Sequence, residues 1–170
     1  MILKSKDFKL RPFGEKDFKD YIKGINDKLI GKNMAKLNYP ATRKELVNNF
    51  KKLLESSKKK ENVVFVILYD NKFAGIISLS NIILKLSAKI GYWVSSEYRG
   101  KGLGTKSIEL ITKFGFKKYK LRRIYANVRT HNKASVRVLE KCGFKLEGIQ
   151  RKSTIKKGIY YDDFLYAKVK

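Results

Sequence analysis

A strand-like run, a glycine-rich turn and a helix-like run stand in that order and constrain the chain more than any other stretch. The turn reads Tyr-Arg-Gly-Lys-Gly-Leu-Gly-Thr at residues 98–105, after the apolar run 90–94 and before a helical pattern over 104–119. Glycines let the backbone approach a ligand closely, and the first N–H groups of a helix have no partner within the helix. Such N–H groups bind anions. The turn therefore predicts a bound pyrophosphate.

The spacing of the glycines separates the known phosphate-binding motifs. Gly100, Gly102 and Gly104 do not fit the dinucleotide pattern G-x-G-x-x-G, and no Lys-Ser/Thr pair follows them as a nucleoside triphosphate loop requires. The pattern that fits is R-x-x-G-x-G, which begins at Arg99. This pattern resembles the acyl-CoA loop of the GCN5-related N-acetyltransferase (GNAT) superfamily.

Chain length and residue usage limit the possible classes of protein. A chain of 170 residues suits a single domain over residues 1–170 and buries roughly two-thirds of its unfolded surface. No run approaches the roughly 18 apolar residues of a membrane span, and the N-terminus lacks the apolar segment of a signal peptide. One cysteine, Cys142, and one histidine, His131, exclude an internal disulfide and a Cys/His metal cluster. We expect a cytoplasmic protein with no membrane partner and no metal.

The net charge of +25 attracts anions in general. It suits a polyanionic cofactor, and it also suits nucleic acid or a ribosomal surface. The lysines are spread along the whole chain, which is equally typical of a genome rich in lysine codons. No aromatic and basic residues alternate as in an RNA-recognition module. We therefore expect no dedicated nucleic-acid binding.

Apolar periodicity predicts a mixed α/β order of elements. The capping-box pattern at Thr42–Glu45 marks one helix start, and acidic residues mark another near residue 14. Three alternating runs between residues 63 and 94 predict an antiparallel meander. The polar segment 27–39 is predicted to be irregular and to face the substrate. The predicted strands are 8–12, 63–69, 73–83, 86–94, 123–129, 144–151 and 160–169, and the predicted helices start near 14, 42, 104 and 132.

This order of elements is similar to the GNAT fold along almost the whole chain. Further stretches resemble the subgroup of RimJ/RimL-type ribosomal-protein N-terminal acetyltransferases: Leu10-Arg-Pro12, Asn132-Lys-Ala-Ser135 with Cys142-Gly-Phe144, and Gly158-Ile-Tyr-Tyr-Asp162. The resemblance implies an α/β (α+β) fold with a mixed sheet of about seven strands and about four flanking helices. It also implies that the sheet splays between the fourth and fifth strands, 86–94 and 123–129.

The resemblance implies that coenzyme A lies in this splay, with acetyl-CoA as cofactor. In the family the pyrophosphate meets the glycine turn and the pantetheine arm meets backbone groups of the two strands. Tyr92 and Trp93 should face opposite sides of the sheet, and the sequence leaves open which one faces the substrate. The implied cofactor-binding residues are Tyr92, Trp93, Val94, Arg99, Gly100, Lys101, Gly102, Leu103, Gly104, Thr105, Asn127, Asn132 and Ser135.

The resemblance also assigns the chemistry. A backbone N–H near Val94 would stabilise the oxyanion, and Ser135 would protonate the departing thiolate. Many family members use a tyrosine for that proton, but the aligned residue here is Leu139. Some relatives have a glutamate base where this chain has Asn127, so the general base is unassigned.

Three hypotheses for the function remain open at this point. The first is an N-acetyltransferase acting on the N-terminal α-amine of a protein, possibly a ribosomal one. The second is an acetyltransferase for a small amine, such as a polyamine, an aminoglycoside or an amino sugar. The third is a catalytically weak CoA-binding module that docks on RNA or the ribosome. The sequence permits a monomer or a homodimer.

Overall fold

The computed structural model describes residues 1–35 and 37–170. Its strands form one mixed sheet, whose bounds follow. They are β1 (Leu3–Lys4), β2 (Phe8–Pro12), β3 (Val63–Tyr69), β4 (Lys72–Ile83), β5 (Ser87–Val94), β6 (Arg123–Arg129), β7 (Lys145–Lys156) and β8 (Ile159–Val169). The order across the sheet is β1-β2-β3-β4-β5-β6-β8-β7.

The helices lie on the two faces of this sheet. They are α1 (Phe18–Ile25), α2 (Lys28–Asn33), α3 (Arg43–Ser57), α4 (Leu103–Lys118) and α5 (Lys133–Lys141), with short 3-10 turns at Glu15–Asp17 and Ser96–Tyr98. The capping box predicted for α3 is present, because the Thr42 hydroxyl accepts from the Glu45 N–H and the Glu45 carboxylate accepts from the Thr42 N–H.

The prediction of an irregular segment over 27–39 is wrong for the residues of α2. Asp27 caps this short helix, since its carboxylate accepts a hydrogen bond from the Ile30 N–H at 3.0 Å. Ile30 is buried and fixes the helix against the core. Within the same segment, Lys36 lies outside the described residues.

The topology agrees with the predicted mixed sheet. Strands β3 to β5 form the predicted antiparallel meander, β2 pairs with β3 in antiparallel, and β5 pairs with β6 in parallel after the α4 crossover. Strand β7 runs on to Lys156, beyond its predicted end at Arg151, because it forms a tight hairpin with β8. Both turn residues of this hairpin, Lys157 and Gly158, have positive φ, as a type I′ turn requires.

Alternation along the strands divides the core into two layers. On one face, Ile77 and Leu79 of β4 pack with Ile108 and Ile111 of α4. On the other face, Ile76 packs in a layer with α1 and α3. Successive side chains of a strand point to opposite faces, so a single apolar strand supplies both layers. The sheet is therefore covered on both sides, and α4 and α5 share the first face.

Candidate active site

Strands β5 and β6 separate after a short parallel pairing. The paired residues are Ser87 with Arg123, Ala88 with Ile124, and Lys89 with Tyr125. Beyond them, β5 continues to Val94 and β6 to Arg129 without further pairing between the two strands. Each strand therefore has a stretch of backbone edge that is free to bind a ligand. We call the cavity of about 310 Å³ between them the cleft.

The cleft is lined by both strands and by parts of α2 and α5. Residues predicted for the site that line it are Tyr92, Trp93, Val94, Arg99, Asn127, Asn132 and Ser135. From the segment predicted to face the substrate, Leu29, Ile30, Asn33 and Met34 also line it. Its lining includes no Asp or Glu among the residues that the structure describes, but it includes Arg99 and Arg129.

The glycine turn leads directly into α4 beside the cleft. Gly100 and Gly102 have φ of 78° and 73°, values that other residues adopt only with strain. Gly102 is the N-cap of α4 and has no side chain to accept from the first helical N–H groups. Leu103 is buried in the core, so it offers the ligand only its backbone. The start of α4 thus has the features of an anion-binding site.

The side chains of the turn have partners of their own. The Arg99 guanidinium pairs with Asp27 at 2.5 Å and so joins the turn to α2. Burial raises the pKa of Asp27, but the hydrogen bonds from Arg99 and from the Ile30 N–H outweigh this effect, so the pKa lies below its usual value. The Lys101 ammonium lies over the Tyr69 ring, 4.9 Å from its centroid.

Tyr92 and Trp93 take opposite faces of the sheet, and the structure decides which is which. The Tyr92 ring lies on the face of α4 and α5, where a Cβ on Gly104 would stand 3.2 Å from its Cε2. Trp93 packs on the other face against Tyr21 and Phe73. Tyr92 therefore belongs to the helix side of the cleft, while Trp93 supports the opposite core.

A hydroxyl pair crosses the cleft. Tyr92 Oη lies 3.0 Å from Ser135 Oγ, and Asn132 caps α5 by accepting from the Ser135 N–H at 3.2 Å. Burial raises the pKa of Tyr92, and the hydrogen bond to Ser135 lowers it only in part. Leu139, expected from the resemblance to stand where many family members have a tyrosine, is buried and lines the same cleft. Tyr92 thus places a phenol in the cleft from a different element.

The N–H of Val94 points into the cleft. The next residue, Ser95, donates its N–H to Ala74 O at the β4 side, at 2.9 Å. Successive N–H groups of a strand point to opposite edges, so the Val94 N–H faces the edge that β6 leaves free. A backbone donor is therefore available at this edge.

Other polar and charged side chains of β6 have hydrogen-bond or ion-pair partners of their own. Asn127 donates to Gln150, and Glu147 pairs with Arg123 at 2.5 Å. Arg129, which lines the cleft, is buried and pairs with Asp163 at 3.4 Å. This buried pair was not predicted, since 34 residues separate its members and no local motif marks them.

Four side-chain contacts hold α2 and the residues beside it against the rest of the site. The Asp27 carboxylate pairs with Arg99, and the Asn33 side-chain oxygen lies 3.1 Å from His131 Nε2 as a hydrogen-bond acceptor. Lys156 donates to the carbonyl oxygens of Met34 and Leu37 at 2.9 and 2.7 Å. The segment therefore forms one fixed wall of the cleft.

The comparisons with known proteins agree with this geometry. Residues 7–145 match the family described as "Acetyltransferase (GNAT) domain". The probable N-acetyltransferase YjcK of Bacillus subtilis is 40% identical over 95 residues, which are 55% of this chain and 52% of that protein. The ribosomal-protein-serine acetyltransferase of Escherichia coli is 29% identical over 107 residues, 62% and 60% of the two chains. The spermidine N(1)-acetyltransferase of the same species is 33% identical over 85 residues, 49% and 46% of the two chains. The chain thus spans about half the length of several curated relatives.

Solved structures share the fold over nearly the whole chain. The microcin C7 self-immunity acetyltransferase MccE, in complex with acetyl-CoA and AMP, has a TM-score of 0.84 at 27% identity, with 97% of this chain and 93% of that chain covered. RimL, the ribosomal L7/L12 alpha-N-protein acetyltransferase in complex with coenzyme A, has a TM-score of 0.86 at 22% identity, with 99% and 98% covered. No helix in the described residues is long and apolar enough to cross a membrane. The chain therefore belongs to the acetyltransferase (GNAT) family, and its relatives named here are N-acetyltransferases.

Proposed function

We propose that this protein transfers an acetyl group from acetyl-CoA to the N-terminal α-amine of a protein, with a ribosomal protein as one candidate acceptor. The single observation that carries the choice of acceptor is the lining of the cleft. It presents hydroxyl, amide and arginine groups, and no carboxylate among the described residues. A polycation needs carboxylates to compensate its charge, whereas an N-terminal peptide brings one amine beside neutral backbone.

The residues present fit acetyl-CoA, since β5 and β6 each have a free edge and α4 begins at an uncapped glycine turn. The N–H groups of residues 103–105 would hold the pyrophosphate, and Arg99 and Lys101 would add positive charge. Asn132 would serve both as the helix cap and as a cofactor contact. When bound, acetyl-CoA supplies the activated acetyl group as a thioester.

The residues around the cleft divide the chemical work. The Val94 N–H donates a hydrogen bond to the carbonyl oxygen on which negative charge develops. Ser135 would donate its proton to the sulfur that leaves, Tyr92 would hold the Ser135 hydroxyl in place at 3.0 Å, and the proton that the amine gives up would return to Ser135 through water. A general acid of this kind contributes about 10²–10⁴ in rate. These roles require the Tyr92 and Ser135 hydroxyl groups to lie beside the thioester.

The acceptor amine must be neutral when it attacks. An N-terminal α-amine has a pKa of about 8, whereas a lysine amine has a pKa of about 10.4. Near neutral pH an appreciable fraction of the α-amine is already neutral and able to attack. Water can then take the proton that the amine releases after it attacks. An α-amine therefore needs no strong general base, which agrees with the lack of a carboxylate in the described lining of the cleft.

The polyamine hypothesis has support in one comparison, because a spermidine acetyltransferase is among the relatives. The cleft counts against it. Asp27, the N-cap of α2, already pairs with Arg99, and Asp163 pairs with Arg129. Within the cleft, an acceptor with several positive charges would therefore meet two arginines and no acidic side chain among the described lining residues.

An acceptor screen with a thiol-release readout tests the proposal. Peptides with free N-termini, the same peptides with blocked N-termini and an added lysine, spermidine and an aminoglycoside are each incubated with acetyl-CoA and the protein. We expect thiol release with free N-termini only, and mass spectrometry should place the acetyl group on the α-amine. Release with spermidine that exceeds release with every peptide would overturn the choice of acceptor.

A further inference from the structure

A second cavity continues from the cleft along the face of the sheet that α3 covers. It has a volume of about 750 Å³ and shares Met34, Gly91, Tyr92 and Trp93 with the cleft. We call it the groove. It is the larger of the two cavities, and the contacts assigned above to acetyl-CoA do not use it.

The groove has a floor from the sheet and a wall from α3. Ser78 of β4 and Gly91 of β5 stand opposite each other in the antiparallel register. A Cβ on Gly91 would have only Ser78 Oγ within 4 Å, at 3.8 Å. Two small residues side by side therefore leave the floor open. The wall presents Asn48 and Asn49, whose amide N–H groups can donate to a peptide main chain; the Asn49 oxygen already accepts from Tyr21 Oη at 2.5 Å.

Charge is distributed unevenly along the groove. At the α3 N-terminus, the Glu45 carboxylate accepts from the Thr42 N–H at 2.7 Å and from Asn38 at 2.9 Å. These two hydrogen bonds, that of Thr42 first, lower the pKa of Glu45. Farther along, Lys52 and Lys89 line the groove. No ion pair among residues 1–35 and 37–170 involves either lysine.

Both lysines lie toward the end of the groove away from the cleft. The C-terminal end of α3 is tied to the far end of β4, because Asn62 donates to Ser56 at 3.1 Å and accepts from the Asn81 N–H at 3.1 Å. That end of β4 pairs with the start of β5. Lys89 is also the last residue of β5 that pairs with β6, and the cleft opens only beyond it.

The spacing along α3 sets a length scale. Seven positions separate Glu45 from Lys52, which is about 10 Å at about 1.5 Å per helical residue. An extended peptide covers about 3.3 Å per residue, so about three residues span this distance. A peptide whose amine lies in the cleft would then bring its next few side chains to the level of the lysines.

We propose that the groove binds the acceptor chain beyond its reacting amine, and that Lys52 and Lys89 select peptides with Asp or Glu about three to five residues from the N-terminus. This inference rests on the proposed function, since it requires a peptide acceptor. It adds to that function the charge of the acceptor sequence and the residues that recognise it.

Peptides that differ only in charge test the selection. Three acceptors share their first two residues and carry Asp, Asn or Lys at the next three positions. The unmodified protein should show kcat/KM in the order Asp, Asn, Lys, with each lysine contributing about two- to five-fold at low salt. The order should weaken as salt rises, because these lysines face solvent. Equal kcat/KM values for the three peptides would overturn the inference.

Charge reversal identifies the lysines responsible. The double variant Lys52→Glu with Lys89→Glu should invert the order of the three peptides. Lys51→Glu is the matched control, since Lys51 is exposed on the same helix and does not line the groove, and it should preserve the order. An inverted order in the control, or an unchanged order in the double variant, would contradict the assignment.

A steric variant provides a second test that does not depend on charge. Ser78→Leu should fill the floor of the groove and raise KM for all three peptides, with a thermal unfolding midpoint close to that of the unmodified protein. Unchanged KM values in a folded variant would contradict the groove as the peptide site.

Thiol release and its dependence on peptide charge distinguish failure of the groove from failure of the proposed function. Thiol release with peptides, but without any dependence on charge or on Ser78, would overturn the groove and leave the proposed function intact. No thiol release with any peptide would overturn the proposed function, and the groove inference with it.

Discussion

Tyr92 Oη lies 3.0 Å from Ser135 Oγ, and this contact joins β5 to α5 across the cleft. Burial raises the pKa of Tyr92, so its phenol keeps its proton well into the alkaline range. The phenol can therefore donate to Ser135 while the Ser135 proton is directed elsewhere. The pair forms a short chain of hydrogen bonds, and under the proposed mechanism its far end would serve the leaving sulfur.

Ser135→Ala and Tyr92→Phe should lower kcat to different extents. The serine variant loses the proton donor, and we expect a loss of about 10- to 100-fold. The tyrosine variant keeps Ser135 but loses its partner, so a loss of about 3- to 10-fold is expected. Because Tyr92 acts through Ser135, the double variant should be no slower than Ser135→Ala alone. Steady-state kinetics with acetyl-CoA and a peptide acceptor measure all three.

Tyr166→Phe is the matched control for this pair. Its phenol is also buried and donates a hydrogen bond, to Glu140 at 3.0 Å, but it does not line the cleft. We expect unchanged kcat. Losses in the single variants that multiply in the double variant would show that the two hydroxyl groups act independently.

Gly102→Ala should weaken coenzyme A binding because of backbone conformation. A Cβ at this position meets nothing within 4 Å, so space does not oppose the change. The φ of 73° does oppose it, at a cost of about 1–2 kcal/mol for a residue with a side chain. If the turn changes conformation to relieve this strain, the first N–H groups of α4 no longer point at the pyrophosphate. We expect at least about a ten-fold rise in the Kd for coenzyme A by calorimetry.

Gly148→Ala is the control for this variant. It distinguishes an effect of backbone conformation at residue 102 from the loss of any glycine. Gly148 lies on β7, also has open space for a Cβ, and is not among the glycines with positive φ. It should leave the Kd for coenzyme A unchanged. Equal Kd values for Gly102→Ala and the unmodified protein would remove the glycine turn from the cofactor site.

The sequence predicted the parts of the site that depend on local spacing. Gly100 and Gly102 have positive φ, and a strand and a helix flank their turn, as the apolar runs on either side predicted. All of these features are encoded by residues that are neighbours in the sequence. A helix start near residue 132 was predicted for the same reason, and Asn132 caps α5 there.

The contacts and elements that the sequence did not predict depend on how distant parts of the chain come together. The Tyr92–Ser135 contact spans 43 residues and the Arg129–Asp163 pair spans 34, so neither leaves a local pattern. Helix α2 was missed because it has only six residues, and short helices form through tertiary contacts more than through propensity. The groove was missed because it requires the register of Ser78 against Gly91.

Asp163→Asn should destabilise the protein far more than Asp7→Asn. Asp163 is buried, pairs with Arg129, and accepts from the Ser153 hydroxyl at 2.8 Å. Neutralising it leaves a buried guanidinium without its counter-charge, which costs about 3–5 kcal/mol. Asp7 pairs with Lys106 at 3.0 Å, but both side chains are about half exposed, and such pairs contribute about 1 kcal/mol or less. Urea unfolding of the two variants measures the difference, and equal losses would contradict a structural role for the buried pair.

Cys142 should be unreactive in the folded protein and should make stability depend on alkaline pH. Its side chain is buried, its thiol donates to Thr105 O at 3.5 Å, and burial raises its pKa from 9.0 to about 11. We expect iodoacetamide to modify it at pH 8 only as fast as the protein opens.

Since the pKa of Cys142 is higher in the folded protein than in the unfolded chain, its contribution to stability is complete below about pH 9 and is lost as the pH rises toward about 11. The buried tyrosines act in the same direction, so Cys142→Ala isolates the thiol: its unfolding free energy should fall less steeply over that range. Modification of the native protein at the rate of a free thiol, or identical slopes in the two proteins, would contradict this assignment.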